Sequence, residues 1–252
     1  MNNKENLINT LIKKLIEEGL YNWKIPSTYN EKRNLLRWLV NIREPRSNEE
    51  LFEMEDQFLQ LELFEKNITK AENLEEVEEN ISLFKWDITT IEADIIVNAW
   101  NEYWLWCFVP WHHCIDNAIH SFAWMRLRYE CNQILKWDLI EVWDFIVCDA
   151  YNLPSKKVLT TVWPQITTSV MKKDEIGLTK CYENALKYAY ENWFKTIVFP
   201  SISTWLFAYP IQEARIVAVN TVRKFVKDNP IKVIFNLFSD FDYEQYSELF
   251  VS

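Results

Sequence analysis

Two thiols and three imidazoles fall within 14 residues, in the run Cys107-Phe-Val-Pro-Trp-His112-His113-Cys114-Ile-Asp116-Asn117-Ala-Ile-His120. These three histidines are all that the chain contains. Two thiolates and an imidazole suit Zn²⁺, and three protein ligands leave a fourth position for water or substrate. A metal held that way polarises an oxygen or turns a bound water into a nucleophile. Buried cysteines beside surface histidines would produce the same composition, and spacing by itself leaves both readings open.

Three further constellations stand at the ends of apolar, strand-like runs. Asn98 and Asn101 lie in Val97-Asn98-Ala99-Trp100-Asn101. An Asn there hydrogen-bonds a sugar hydroxyl or simply makes a turn. Ser201, Ser203 and Thr204 lie in Phe199-Pro-Ser201-Ile202-Ser203-Thr204-Trp205-Leu-Phe207. They can offer hydroxyls and backbone N–H groups to an anion, or cap the helix expected from Ile211. Asp87, in Lys85-Trp86-Asp87-Ile88-Thr89, can accept from the exocyclic amine of a base or cap a helix.

The elements that must position these groups follow from periodicity. Residues 1 to about 75 read as helical. Leu7, Leu11, Leu15 and Ile16 form one stripe, Leu35, Leu36, Leu39 and Val40 a second, and Phe52, Phe58, Leu59 and Leu63 a third. Glu72 to Asn80 is acidic and reads as a solvated connection. Beyond it, strands are predicted over 81–84, 94–97, 145–147, 157–162, 196–199 and 233–235. Helices are predicted over 115–129, 178–190 and 211–226. Continuous apolar strands alternating with helices make a mainly parallel sheet covered on both faces. Such sheets bind ligands at the carboxyl ends of their strands.

Composition narrows the partners. The chain has 252 residues, 49% of them apolar, and a formal charge of −10, which argues against nucleic acid as a partner. It has no apolar run of about 18 residues, so no membrane span is expected. The first 18 residues lack the apolar centre of a secretory signal. Five cysteines without a framework spacing suit a reduced, cytoplasmic protein. Glycine is the anomaly. An ordinary chain of this length holds roughly 18; this one has 2 Gly and 13 Trp.

In order and spacing, the segments around Asp87, Asn98–Asn101, Cys107–His120 and Ser201–Phe207 resemble the macrodomain family. The Cys-Phe-x-Pro-x-His-x-Cys-Ile-Asp-Asn-x-Ile-His run resembles its zinc-containing ADP-ribosyl hydrolases. Leu35-Leu36-Arg37…Asn41-Ile42-Arg43-Glu44-Pro45 and Asp56-Gln57-Phe58-Leu59-Gln60 are similar to that family's N-terminal helical extension.

The resemblance implies a three-layer α/β/α macrodomain over residues 76–252, with a mixed, mainly parallel sheet and a helical extension over 1–75. It implies hydrolytic removal of ADP-ribose from ADP-ribosylated protein, ADP-ribose being the product. Cys107, His112 and Cys114 would bind zinc and, with Asn101, form the catalytic group. Asp87 would contact adenine with the Ile88 backbone nearby, and Asn98 would belong to the ligand-binding set. Asn101 would hold the distal ribose. Ser201, Ile202, Ser203, Thr204 and Trp205 would wrap the diphosphate, with Phe207 near the distal sugar. His113 and His120 are not assigned to the metal; His120 follows the apolar stripe of its helix and reads as a structural hydrogen-bonder. The alternative is a macrodomain that reads ADP-ribose without hydrolysing it, for which the Cys/His cluster has no use.

The departures from the family are of one kind. It has, or readily accepts, glycine where this chain has Trp86, Trp106, Trp124, Trp137, Trp143, Trp163, Trp193 and Trp205. Some bacterial lineages read the UGA codon as glycine, and another variant code reads it as tryptophan. Decoding a gene of the first kind by the second code would convert UGA glycines to Trp and spare the rest. Together the 13 Trp and 2 Gly make 15 residues, about 6% of the chain and close to ordinary glycine usage.

Overall fold

The computed structural model describes residues 3–100, 107–110, 112–136, 141–167, 169–201 and 208–251. Three helices come first, α1 (Asn3–Glu18), α2 (Tyr29–Ile42) and α3 (Glu49–Phe64). Thr28 opens α2 with a reciprocal capping box to Glu31, and Asn48 opens α3 by accepting from the Leu51 amide. Both use a short polar side chain to satisfy a helix-end N–H.

Nine strands follow among the described residues. β1 (Thr69–Lys70) pairs with β4 (Ile91–Glu92) in a small parallel sheet. The main sheet holds β2 (Glu76–Glu78), β3 (Ile81–Phe84), β5 (Ile95–Trp100), β6 (Phe145–Asp149), β7 (Lys157–Val162), β8 (Thr196–Pro200) and β9 (Lys232–Asn236). Its order is β2-β3-β9-β8-β5-β7-β6; the five central strands run parallel and the two edge strands antiparallel.

Helices cover both faces. On one side α6 (Lys172–Glu191), α7 (Ile211–Val226) and α8 (Asp240–Ser247) seat Leu178, Ala185, Ala218 and Tyr246 against Ile95, Val97 and Val233. On the other, α4 (Ile115–Ala123) and α5 (Met125–Leu135) seat Ile119, Ala123 and Leu127 against Ile96, Val158 and Ile234. This is the mixed, mainly parallel α/β/α sandwich expected. Helices α1–α3 pack a third core, including Leu11, Leu36, Leu39 and Phe58, against Trp124 and Met125 at the α4–α5 junction. No helix among the described residues is long and apolar enough to cross a membrane.

Two expectations need correction. The stretch 72–80 is not only a connection: Glu76–Glu78 forms the edge strand β2 with all three side chains exposed. The helix expected over 115–129 is two helices. Trp124 interrupts it at φ 61° and ψ −141°, a region reached at low cost essentially by glycine alone.

Trp143 and Trp193 also have positive φ, 69° and 62°, whereas neither glycine does. Trp193 is the residue after the C-cap of α6. Its amide donates to the Tyr190 carbonyl and that of Phe194 to Ala189, the paired bonds of a left-handed helix ending that favours glycine. The indole is 90% exposed, so it gains little burial in return. Trp193→Gly should therefore raise unfolding free energy by about 1 kcal/mol, the scale of left-handed strain less the entropy of a freer unfolded chain. Denaturant midpoints at constant m measure it.

Candidate functional site

The candidate centre lies beyond the carboxyl end of β5, where the sheet hands the chain to α4. Cys107, His112 and Cys114 converge there: one potential ligand atom from each lies within 4.8 Å of the other two. The Cys107 Sγ is 3.2 Å from His112 Nδ1. All three side chains are half-buried, as a ligand set open to a substrate must be. The remaining cysteines, Cys131, Cys148 and Cys181, are buried in the core. His113 is exposed.

Local structure explains the convergence. Cys114 is the N-cap of α4, and its Sγ accepts from the Asn117 amide at 3.3 Å. A helix N-terminus favours negative charge on the capping group. A hydrogen bond from the Cys114 thiol holds the Cys107 thiol down, to about 6, and pushes Cys114 up in consequence. Two thiols, one inclined to ionise, and an imidazole within reach of one ion make a donor set that fits zinc.

Asp116 organises the turn beneath, and sequence reasoning assigned it no role. Its Oδ2 accepts from the Cys107 amide. Its Oδ1 accepts from Asn98 Nδ2 at 2.7 Å and from the Trp100 indole, and lies 3.3 Å from His120 Nε2. The bonds it accepts and the nearby His120 keep its carboxyl ionised against burial. Burial holds His120 below its usual value, opposed by the neighbouring Asp116. Its signal in the sequence was an acid in the first turn of a helix, a position that also serves ordinary dipole compensation.

Other expected residues are placed as follows. Asn98 is fully buried within β5, and its amide engages Asp116 and Thr160; it is a strand residue, not a turn Asn. Asp87 follows β3, and its Oδ1 accepts from the Thr89 amide at 2.9 Å and hydroxyl at 2.8 Å. The capping alternative therefore describes that oxygen. Ile88 is buried next to it. Ser201 follows β8, with its Oγ buried and without a hydrogen-bond partner among the described residues. Asn101, Ile202, Ser203, Thr204, Trp205 and Phe207 lie outside the described residues, as do Trp106 and Trp137.

Asp87, Cys107 and Ser201 thus follow three parallel strands at their carboxyl ends, where α/β sheets bind ligands. The macro domain family matches residues 97–218. A protein-ADP-ribose hydrolase of Treponema medium is 36% identical over 250 residues, covering 95% of this chain and 96% of its own. A protein-ADP-ribose hydrolase of Staphylococcus aureus (strain MSSA476) is 36% identical over 234 residues, or 90% of this chain and 87% of its own. Among solved structures, an Oceanobacillus iheyensis macrodomain with ADP is 32% identical at a TM-score of 0.62, covering 69% of this chain and 92% of that one. A Trypanosoma brucei macrodomain in complex with ADP-ribose shares the fold at a TM-score of 0.65 and 22% identity, over 89% of this chain and 96% of that one. On fold, family match and identity over nearly its whole length, the chain belongs to the macrodomain family, beside the protein-ADP-ribose hydrolases.

Proposed function

We propose that this chain is a zinc-dependent hydrolase that removes ADP-ribose from ADP-ribosylated protein. The observation that carries the reading is the convergence of Cys107, His112 and Cys114 at the end of β5. A module that only recognises ADP-ribose needs no such cluster. Bound at these residues, zinc would supply Lewis-acid polarisation of a sugar or water oxygen near the anomeric carbon. The chain's own residues do the rest. Asp116 fixes the Cys107 backbone. Asp87 has an oxygen for the adenine amine, and the buried Ser201 hydroxyl begins the loop that holds the diphosphate. Asn101 holds the distal ribose, which keeps the bond to be cleaved in reacting geometry. The hydrolase relatives named above support this reading.

Release of free ADP-ribose from a mono-ADP-ribosylated protein tests it. Many molecules released per chain are expected. Binding of one ADP-ribose per chain with no release would identify a reader.

We also propose that most or all of the 13 Trp positions are glycine in the natural protein. Three independent features support this. Trp124, Trp143 and Trp193 have the positive φ that glycine favours. Trp124 and Trp163 are about 1% exposed, and neither buried indole N–H has a partner among the described residues, against the habit of buried Trp. The resemblance to the family implies glycine at Trp124, Trp143, Trp163 and Trp193. Intact mass of natively expressed protein decides the matter: a mass equal to that of the Trp chain would overturn the proposal.

A further inference from the structure

The helical extension carries a motif, Arg37…Asn41-Ile42-Arg43, that the proposed chemistry does not use. In the fold it reaches the metal-ligand loop. The Arg37 Nη2 donates to Asn117 Oδ1 at 2.6 Å. That bond fixes the Asn117 amide so that its Nδ2 donates to the Val109 carbonyl at 3.2 Å, inside the loop, while the Asn117 backbone N–H donates to the Cys114 Sγ. Four residues along α2, Asn41 Nδ2 donates to the Cys107 carbonyl at 3.0 Å. One helical turn separates Arg37 and Asn41, so both project from the same face.

That face is itself held in place. Arg128 of α5 is buried and donates to the carbonyls of Val40 at 2.9 Å and Asn41 at 2.6 Å, closing the carboxyl end of α2. Among the described residues Arg43 bonds within the extension: it makes a two-point ion pair with Glu18 and donates to the Arg46 carbonyl. The contacts to the loop span 66 and 80 residues of sequence, so the extension and the loop are built as one unit.

We propose that Arg37 and Asn41 are positioning residues for the metal-ligand loop, holding Cys107 from one side and Cys114, through Asn117, from the other. The inference rests on the zinc reading above. Groups that hold a metal's ligands in place typically contribute 10- to 100-fold to its affinity, because an unfixed loop must be ordered when the ion binds.

The test is zinc affinity of the full chain by competition with a chromophoric chelator, with the Co²⁺ absorption spectrum and the melting temperature recorded for each variant. Arg37→Met and Asn41→Leu are expected to weaken zinc binding roughly 10- to 100-fold and to alter the Co²⁺ spectrum. Arg37→Lys, which keeps a donor for Asn117, should recover part of the loss. Arg43→Met should lower the melting temperature and leave zinc affinity unchanged. Wild-type affinity in folded Arg37→Met and Asn41→Leu would overturn the proposal while leaving the zinc reading intact. An equal loss in Arg43→Met would overturn it too, because affinity would then follow general stability. A wild-type chain without zinc affinity would sink the zinc reading and this proposal together.

Discussion

Replacing Cys107 or Cys114 with Ser, or His112 with Ala, is expected to reduce ADP-ribose release by more than about 100-fold while leaving the fold intact. The magnitude follows from comparison. Loss of a group that merely orients a ligand costs about 10- to 100-fold in activity or affinity, and loss of a ligand is the larger injury. A three-ligand site reduced to two has neither the charge nor the geometry to hold the ion. The fold should survive because the three side chains are half-buried and none belongs to the sheet cores. His112→Ala is the cleanest variant, since His112 lies in the loop between Cys107 and the helix cap Cys114 and caps nothing itself. Cys114→Ser keeps a side-chain acceptor for the Asn117 amide, so α4 should still start where it does. Release assays with far-ultraviolet circular dichroism separate the two effects. Wild-type release from any of the three would remove that residue from the proposed centre.

The second large effect is expected at Trp205 and Trp106. Trp205 stands in the segment that resembles the family's phosphate loop, and Trp106 directly precedes Cys107, proposed above as a zinc ligand. A loop that binds phosphate through its backbone must approach the anion closely, which glycine permits by having no Cβ. An indole instead brings about 150–250 Å² of surface to bury. Overpacking costs about 1–3 kcal/mol per site, so two such sites weaken ADP-ribose binding by roughly 30- to 20,000-fold at about 1.4 kcal/mol per decade. The double change to glycine should recover that factor. Trp205→Gly alone should recover only part, because Trp106 remains next to Cys107. Calorimetric titration with ADP-ribose measures both. Tight binding by the Trp chain would show that these positions do not need glycine.

Much of the fold was legible because its signals are local. The strands at Ile81, Lys157 and Thr196 start where the apolar runs start, and α7 matches its stripe from Ile211 to Val226. The misreadings have physical causes. Glycine would have marked the break at position 124; Trp there extended the apolar pattern and hid it. β2 is only Glu76-Val77-Glu78, exposed throughout, too short to show a period of two. The convergence of Cys107, His112 and Cys114 was legible because these residues are close in sequence and chemically distinctive. The groups around it were not. Asn98 reads as a turn residue, yet it is a buried strand residue tied to Asp116. The bonds from Arg37 and Asn41 to the loop join distant segments, and neither residue type announces a partner 66 to 80 positions away.

The most direct measurement is ADP-ribose release from a mono-ADP-ribosylated protein by the chain with glycine at its Trp positions, before and after complete metal stripping and again after zinc is restored. Multiple turnovers are expected from the zinc-loaded protein. They should stop on stripping without loss of the folded spectrum and resume with Zn²⁺. Undiminished release from protein shown by elemental analysis to be metal-free would contradict the zinc mechanism. Tight ADP-ribose binding with no release in any of the three states would contradict hydrolysis itself.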